Sequence, residues 1–438
     1  MGIFKAYDIR GIYPDEINED LAYRIGRAFI VLTKAKTTLV GRDMRQSSPS
    51  LCESLIKGMN EQGANVVFAG MVDTPMFYFC AKDYDASLMV TASHNPGKYN
   101  GFKGCLKNVM PLTYDTGFRE IERLVMENKF RPAKKIGKMS EKNFMDDFLK
   151  FSLKFAKGIK RMKVVIDAAN GMGGLTFPLV FKHLDVDFEC MFQEPDGRFP
   201  NHEADPLKPE NMKFLQREVV KKKADIGIAP DGDADRCMFT DEKGRTIPGD
   251  IATALIAQRF LQDNPGSTIL YDLRASRIVK EVVEAAGGKA IMCRVGHSYI
   301  KQAMRKENAI FAGEVSAHFY YRDNSYAESS IISSFILMRM ISESGKKLSE
   351  LVAPLLKYHK TEEINFNVKD KDVKMLELEK IFYDGKIIKL DGLRVDYDDW
   401  WFNVRGSNTE PLLRLNLEAN TKEMMLKMKD KVSKIIQN

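Results

Sequence analysis

Ser93 sits in Thr91-Ala92-Ser93-His94-Asn95-Pro96, directly after the apolar run Ala86-Ser87-Leu88-Met89-Val90. A hydroxyl at the end of a buried strand, on a turn stiffened by proline, is held rigidly and presented outward. Asn95 precedes Pro96 and is biased to extended backbone, so a helix cannot simply start there. A second segment, Asp231-Gly232-Asp233-Ala234-Asp235-Arg236, sets carboxylates at i, i+2 and i+4, expected on one side of an extended chain. Three crowded carboxylates need a cation, and an all-oxygen set suits Mg²⁺. The same aspartates with Glu242 also match ligand positions of an EF-hand calcium loop. That reading fails because Arg236 stands where glycine is needed and the flanks are strand-like.

Two further segments add polar chemistry. Arg405-Gly406-Ser407-Asn408-Thr409 offers a guanidinium, two hydroxyls, an amide and a glycine-flexed backbone, which together make a phosphate cradle. In Gly313-Glu314-Val315-Ser316-Ala317-His318, Glu314 and Ser316 can bind two adjacent hydroxyls of a ligand, the carboxylate as acceptor and the hydroxyl as either partner. General acid/base candidates are Lys103, in Tyr99-Asn100-Gly101-Phe102-Lys103, and His297 and His318, both expected on loops at strand ends. His94 is expected to be a structural part of the serine loop.

These residues have to be positioned by something, and the chain shows a repeated order of short apolar strands separated by helix-length segments. The first set is Thr38-Leu39-Val40, Asn65-Val66-Val67-Phe68 and Ser87-Leu88-Met89-Val90; the second is Lys163-Val164-Val165-Ile166, Asp187-Phe188-Glu189-Cys190 and Asp225-Ile226-Gly227-Ile228. The third is Thr268-Ile269-Leu270-Tyr271, Ala290-Ile291-Met292-Cys293 and Ala309-Ile310-Phe311-Ala312. Such alternation argues for parallel α/β units, although residue identity between the copies is low and the repeat is one of pattern. The third strand of each set runs straight into a polar motif. Ligands of open parallel sheets bind beyond the carboxyl ends of the strands, so three units with equivalent loops are expected to converge on one cleft. Past about residue 360 the texture changes: Ile364-Asn365-Phe366-Asn367-Val368 alternates, Leu412-Leu413-Arg414-Leu415-Asn416-Leu417 is strand-like, and residues 422–436 read as an amphipathic helix. The expected fold class is α/β, with three similar mixed α/β domains around a central cleft and a smaller C-terminal α+β domain. The expected boundaries are 1–150, 151–244, 245–357 and 358–438, with a hinge near residues 357–361.

Bulk properties narrow the field. A chain of 438 residues is too long for one ordinary core, and roughly three or four domains are expected. Hydrophobic residues at 44% and charged residues at 29% fit a soluble globular protein, and no apolar run approaches the ~18 residues of a membrane span. Residues 1–8 carry no apolar segment behind a basic stretch, so no secretory signal is expected. The six cysteines are scattered without a Cys-x-x-Cys pair, which argues against a zinc site or a disulfide framework and for a reduced cytoplasm. The formal charge of +7 is modest, and Lys134-Lys135 and Lys221-Lys222-Lys223 read as solvated faces. No basic stripe interleaved with aromatics points to nucleic acid. A mild positive balance still helps draw in a phosphorylated substrate.

Together and in this order, the four motifs resemble the α-D-phosphohexomutases, which move a phosphate between the 1- and 6-positions of a hexose. The resemblance spans residues 7–418 and includes Tyr7-Asp8-Ile9-Arg10-Gly11 and Gly41-Arg42-Asp43. Arg322-Asp323 and Tyr326-Ala327-Glu328-Ser329 continue it towards the bacterial phosphomannomutases. The resemblance implies that Ser93 is phosphorylated and, with Asp231, Asp233 and Asp235, binds one Mg²⁺. It implies that Glu314 and Ser316 hold the 3- and 4-hydroxyls, and that Arg405, Ser407, Asn408 and Thr409 anchor the phosphate that does not react. Arg10 is expected to steady the phosphoserine, and Arg274 and Arg236 to lie near the substrate. By the family's mechanism phosphorylated Ser93 gives its phosphate to mannose 6-phosphate or mannose 1-phosphate. The resulting hexose 1,6-bisphosphate turns end for end, and Ser93 takes back the other phosphate. Glucose phosphates are the alternative substrates. Ala317 stands where many members have glycine, and Val315 where many have methionine. A metal-dependent phosphatase would share Ser93 and the aspartates but has no evident need of the Glu314 and Arg405 motifs. A non-catalytic sugar-phosphate binder would need the loops alone. The expected partner is a hexose phosphate, with no nucleic acid and no membrane, on a monomer or homodimer.

Overall fold

The computed structural model describes residues 2–406 and 412–437. In the first unit the strands Thr37–Arg42, Asn65–Met71 and Ala86–Val90 are parallel, with Thr37–Arg42 in the middle. Tyr99–Leu106 then returns antiparallel along Ala86–Val90. The same order recurs in Lys163–Asp167, Asp187–Met191 and Ile226–Pro230, with Cys237–Asp241 as the returning strand. It recurs again in Thr268–Asp272, Lys289–Cys293 and Phe311–Gly313, with Phe319–Tyr321 returning. The expectation of parallel units thus describes three strands of each copy and misses the fourth. A parallel return needs a crossover of a dozen or more residues. The links from Val90 to Tyr99, Pro230 to Cys237 and Gly313 to Phe319 are too short for one. All three polar motifs are therefore hairpin loops at equivalent places.

Helices flank the sheets and start where the sequence supplies caps. Asn18 accepts from the Leu21 amide to open Glu19–Thr33, Asp73 from that of Met76 to open Thr74–Ala81, and Ser329 from that of Ile332 to open Ser330–Ser344. The first unit has its own core around Phe29, Leu55, Phe102 and Phe118. A second apolar body runs unbroken from Phe77 and Phe148 through Phe177 and Phe181 to Phe311 and Phe335. At its centre the rings of Phe181 and Phe335 lie 5.6 Å apart. The first three units are therefore fused through hydrophobic packing, the non-directional term that dominates folding.

The fourth unit is built differently. Its antiparallel sheet holds Ile364–Asn367, Lys386–Ile388, Leu393–Asp396, Trp400–Gly406 and Leu412–Ala419, backed by Lys371–Ile381 and Lys422–Gln437. Its core, including Phe382, Trp400, Phe402, Leu415 and Val432, is separate from the others. The segment expected as a hinge contains the short strand His359–Lys360, paired with Ala419 and Glu418, and Lys360 reaches back to Asp250 of the third unit at 2.6 Å. Among the described residues no helix is long and apolar enough to cross a membrane.

Candidate active site

The three hairpin loops meet. Arg236 and His318 form an isolated antiparallel bridge between the second and third units, and the Ser93 hydroxyl donates to Asp231 Oδ2 at 2.8 Å. Each loop turns on a non-glycine residue in the left-handed region: Ser93 at φ +51°, Ala234 at +60° and Ala317 at +62°. Such a conformation costs roughly 1–2 kcal/mol for a residue with a Cβ, and all three loops bear it. Residues 231–235 are consequently not extended, as the i, i+2, i+4 spacing suggested. The Ala234 amide donates to Asp231 O at 3.0 Å, and the carboxylates converge because the chain turns back on itself.

The serine loop is held from behind by Arg45, which has no exposed surface. Its Nη2 donates to Ser93 O at 2.8 Å and Asn95 O at 2.5 Å, its Nη1 to Pro96 O at 2.8 Å and Tyr99 O at 3.0 Å, and its Nε to Asp43 Oδ2 at 3.1 Å. Arg10 donates to Asn95 Oδ1 at 2.6 Å and pairs with Asp8 at 2.5 Å, so it reaches the serine loop through Asn95. His94 Nδ1 lies 3.1 Å from Ser93 Oγ. The second loop approaches so closely that a Cβ on Gly232 would stand 2.4 Å from Ser93 O.

Asp231, Asp233 and Asp235 are buried, and each offers an oxygen within 4.8 Å of the others. Asp233 Oδ1 and Asp235 Oδ1 are buried without a hydrogen-bond partner. Hard, convergent and under-satisfied oxygens fit a divalent cation such as Mg²⁺, so the triad can hold a metal ion. Burial and then the neighbouring carboxylates of Asp235 and Asp233 push Asp231 well above the usual range. Burial opposes charge at Asp235 too, but Lys103 and His318 hold it well below. Lys103 Nζ lies 2.7 Å from Asp233 and 2.5 Å from Asp235. These partners outweigh its burial and keep the amine protonated above its ordinary value. Thr74, unremarked in the sequence, donates its hydroxyl to Asp233 Oδ2 at 2.6 Å and its amide to Asp233 O at 2.9 Å.

The third loop presents Glu314, Ser316 and His318 as a connected set. His318 Nδ1 is 3.0 Å from Ser316 Oγ and 3.2 Å from Glu314 Oε2, and its Nε2 is 3.4 Å from Asp235 Oδ1. Burial disfavours the imidazolium, but Asp235 and Glu314 win and raise His318 to about 9. Glu314, held below its ordinary range by His318 and Arg274 against burial, also accepts from Tyr320 Oη at 2.5 Å and the Gly296 amide at 3.1 Å. His297 is not on a loop: it opens the helix His297–Lys306. Burial, then Lys301 and Lys103, keep it neutral, well below the ordinary histidine value.

Arg274 is braced by Asp272 at 2.8 Å and stands 3.9 Å from Glu314 and 3.8 Å from Glu363. Arg405 also faces Glu363, at 3.4 Å. Ser407, Asn408 and Thr409 lie outside the described residues. A cavity of about 540 Å³ opens between the second, third and fourth units, lined by Arg274, Ser316, Lys360, Glu363 and Asn416 among others. The serine and aspartate loops thus meet at one end of the site, and Arg274 and Arg405 are gathered around Glu363. Sequence reasoning missed Arg45, Thr74, Tyr320 and Glu363. The flagged Gly41-Arg42-Asp43 segment, two residues short of Arg45, was the nearest signal.

Four family descriptions match in succession. Phosphoglucomutase/phosphomannomutase alpha/beta/alpha domain I covers residues 1–132, domain II 142–244, domain III 248–358 and the C-terminal domain 363–435. The chain belongs to the phosphoglucomutase/phosphomannomutase family. The phosphomannomutase of Methanocaldococcus jannaschii is 40% identical over 437 residues, spanning 99% of this chain and 96% of that protein. The phosphomannomutase of Escherichia coli K12 is 39% identical over 430 residues, spanning 95% and 94%. The crystal structure of a phosphoglucomutase/phosphomannomutase family protein from Burkholderia thailandensis matches with a TM-score of 0.92 at 32% identity, covering 99% of this chain and 96% of that one.

Proposed function

We propose that this protein is a phosphomannomutase, interconverting mannose 6-phosphate and mannose 1-phosphate through phosphorylated Ser93 and a hexose 1,6-bisphosphate. The observation that carries the reading is the Ser93 hydroxyl 2.8 Å from Asp231 at the junction of three equivalent loops. Asp231, Asp233, Asp235 and Ser93 are the residues that would hold Mg²⁺, which when bound offsets phosphate charge during transfer. Lys103 is already committed as an ammonium to Asp233 and Asp235. His297, which burial, Lys301 and Lys103 keep neutral, is one candidate to accept the proton of the attacking sugar hydroxyl, beside Lys103 and His318. His318, raised by Asp235 and Glu314 while its Nε2 also lies 3.3 Å from the Arg236 Nε–H, is a candidate to return one. Glu314 and Ser316 orient the sugar, Arg236 and Arg274 face its phosphate side, and Arg405 with Ser407, Asn408 and Thr409 anchors the non-reacting phosphate. Arg10 steadies the serine loop through Asn95. The 3- and 4-hydroxyls are common to mannose and glucose, so glucose 1-phosphate is expected to turn over at a slower or comparable rate.

A coupled assay with mannose 1-phosphate, Mg²⁺ and a trace of hexose 1,6-bisphosphate should yield mannose 6-phosphate. Peptide mass analysis should find one phosphate on Ser93, and Ser93→Ala should lose both that phosphate and nearly all turnover. Phosphate release without isomerisation, or a wild-type rate in Ser93→Ala, refutes the proposal.

A further inference from the structure

Glu363 precedes the strand Ile364–Asn367 and is shared among three arginines. Arg414 Nη1 is 3.2 Å from its Oε1, Arg405 Nη2 is 3.4 Å from its Oε2, and Arg274 Nη1 is 3.8 Å from its Oε2. Asn416 Nδ2 donates to the same Oε2 at 3.2 Å. Arg405 and Arg414 are direct partners on the antiparallel ladder of Trp400–Gly406 and Leu412–Ala419. Like charges set directly opposite on a sheet are destabilising, so an anion belongs between them. Burial opposes charge on Glu363, yet Arg405 and Arg274, ahead of Asn416 and Arg414, hold its carboxyl below the ordinary range. Arg274 is already paired with Asp272, but Arg405 and Arg414 have Glu363 as their one carboxylate partner among the described residues, which leaves those two guanidiniums in excess by one positive charge. Arg405 Nε and Arg414 Nε are both buried with no hydrogen-bond partner among the described residues. The site offers more donors and more charge than a single carboxylate uses, which is what a phosphate dianion with its extra oxygens would satisfy.

We propose that Glu363 is an internal competitor for the substrate's phosphate, and that Arg414, with Asn416 beside it, belongs to the phosphate site alongside Arg274 and Arg405. With no substrate bound, Glu363 occupies the arginines and ties the third unit, through Arg274, to the fourth. An arriving phosphate displaces the carboxylate, and a departing one is replaced by it. Arg405 and Arg414, only partly exposed, then keep an anion beside them in both states. This deepens the function proposed above and rests on it: a bisphosphate that must let go at one end and rebind by the other needs an anion site that binds firmly and releases readily. Glu363 is a positioning residue in this scheme, acting through the arginines.

Calorimetric titration of the full-length protein with inorganic phosphate tests the idea, because that probe requires no turnover. Glu363→Gln removes the competing charge while keeping the shape, and should bind phosphate roughly ten-fold tighter, the scale of one charge-assisted contact. Arg414→Gln should bind it roughly ten-fold more weakly. In the coupled assay Glu363→Gln should lower KM and kcat together, since product leaves slowly. If Glu363→Gln does not fold, Glu363→Asp, which withdraws the carboxylate by one methylene, should tighten phosphate binding in the same direction. An active mutase whose phosphate affinity ignores both Glu363 and Arg414 overturns the competitor and leaves the function standing. Tighter phosphate binding by Glu363→Gln in a protein without hexose-phosphate turnover supports the competitor and removes the function.

Discussion

At the scale of single residues the serine loop depends on a side chain that never meets substrate. Four backbone carbonyls, those of Ser93, Asn95, Pro96 and Tyr99, converge on the Arg45 guanidinium, and Asp43 balances its charge. Burial pulls the Arg45 pKa down, and Asp43 opposes that pull. A loop that holds Ser93 at a left-handed φ needs such an external brace, because local preference favours relaxing it. Arg45→Met should leave the buried Asp43 without its cationic partner. Breaking a buried pair by removing one partner costs about 3–5 kcal/mol, so urea unfolding should show a loss of that order. Arg45→Lys should restore the charge but not the fork of donors, and should recover only part of the stability. A variant as stable as wild type would mean that the loop is held by its own turn chemistry.

Among elements, the segment of residues 196–206 in the second unit backs the serine loop. A Cβ on Gly197 would stand 2.5 Å from Arg45 Cα, so this loop and the clamp behind Ser93 are in direct contact. Its far end is pinned by His202, whose Nε2 lies 3.1 Å from Asp167 Oδ2, whose Nδ1 lies 2.9 Å from Glu203 O, and whose ring stacks on Phe214 at 5.0 Å. Burial disfavours the charged ring, but Asp167 prevails and raises His202 above its ordinary 6.5. A folded-state value above the unfolded one means a stabilising contribution that is complete below about pH 6.5 and disappears as pH rises through the folded value. Unfolding free energies of wild type and His202→Gln should therefore differ most below that pH and converge above it; a constant gap would show that packing on Phe214 does the pinning. None of this second-unit loop could be read from sequence. The parallel strands could, because runs such as Lys163-Val164-Val165-Ile166 are apolar, β-branched and bounded by polar residues. The returning strands could not: Gly101-Phe102-Lys103-Gly104 alternates too weakly, and Phe319-Tyr320-Tyr321 is too short, to stand out from a loop. Ser93 and the aspartates were legible because polar clusters directly after buried strands are conspicuous. Arg45, Thr74 and Glu363 were not, because their work depends on burial and on partners far along the chain.

Across the whole molecule the two kinds of junction differ in physics. The first three units share an apolar body that cannot separate without exposing it. The fourth has its own core and is docked on the third largely by polar contacts. Arg277 donates to the carbonyls of Asp398 at 2.6 Å and Trp400 at 2.9 Å, and also to that of Tyr397. Glu418 accepts the Arg277 amide at 3.0 Å, and Arg394 donates to Leu273 O. Water can replace such bonds one for one, so their net worth is modest, and the fourth unit can rotate at little cost in buried apolar surface. We expect Arg277→Ala, which removes three of these bonds while leaving every proposed site residue in place, to shift the ensemble towards an open form. Small-angle scattering should show a larger radius of gyration for the substrate-free variant than for wild type, and mannose 6-phosphate should narrow the gap. KM should rise more than kcat falls, by about ten-fold for a loss of roughly 1.5 kcal/mol in docking. Unchanged scattering with unchanged KM would show that the fourth unit stays docked without Arg277.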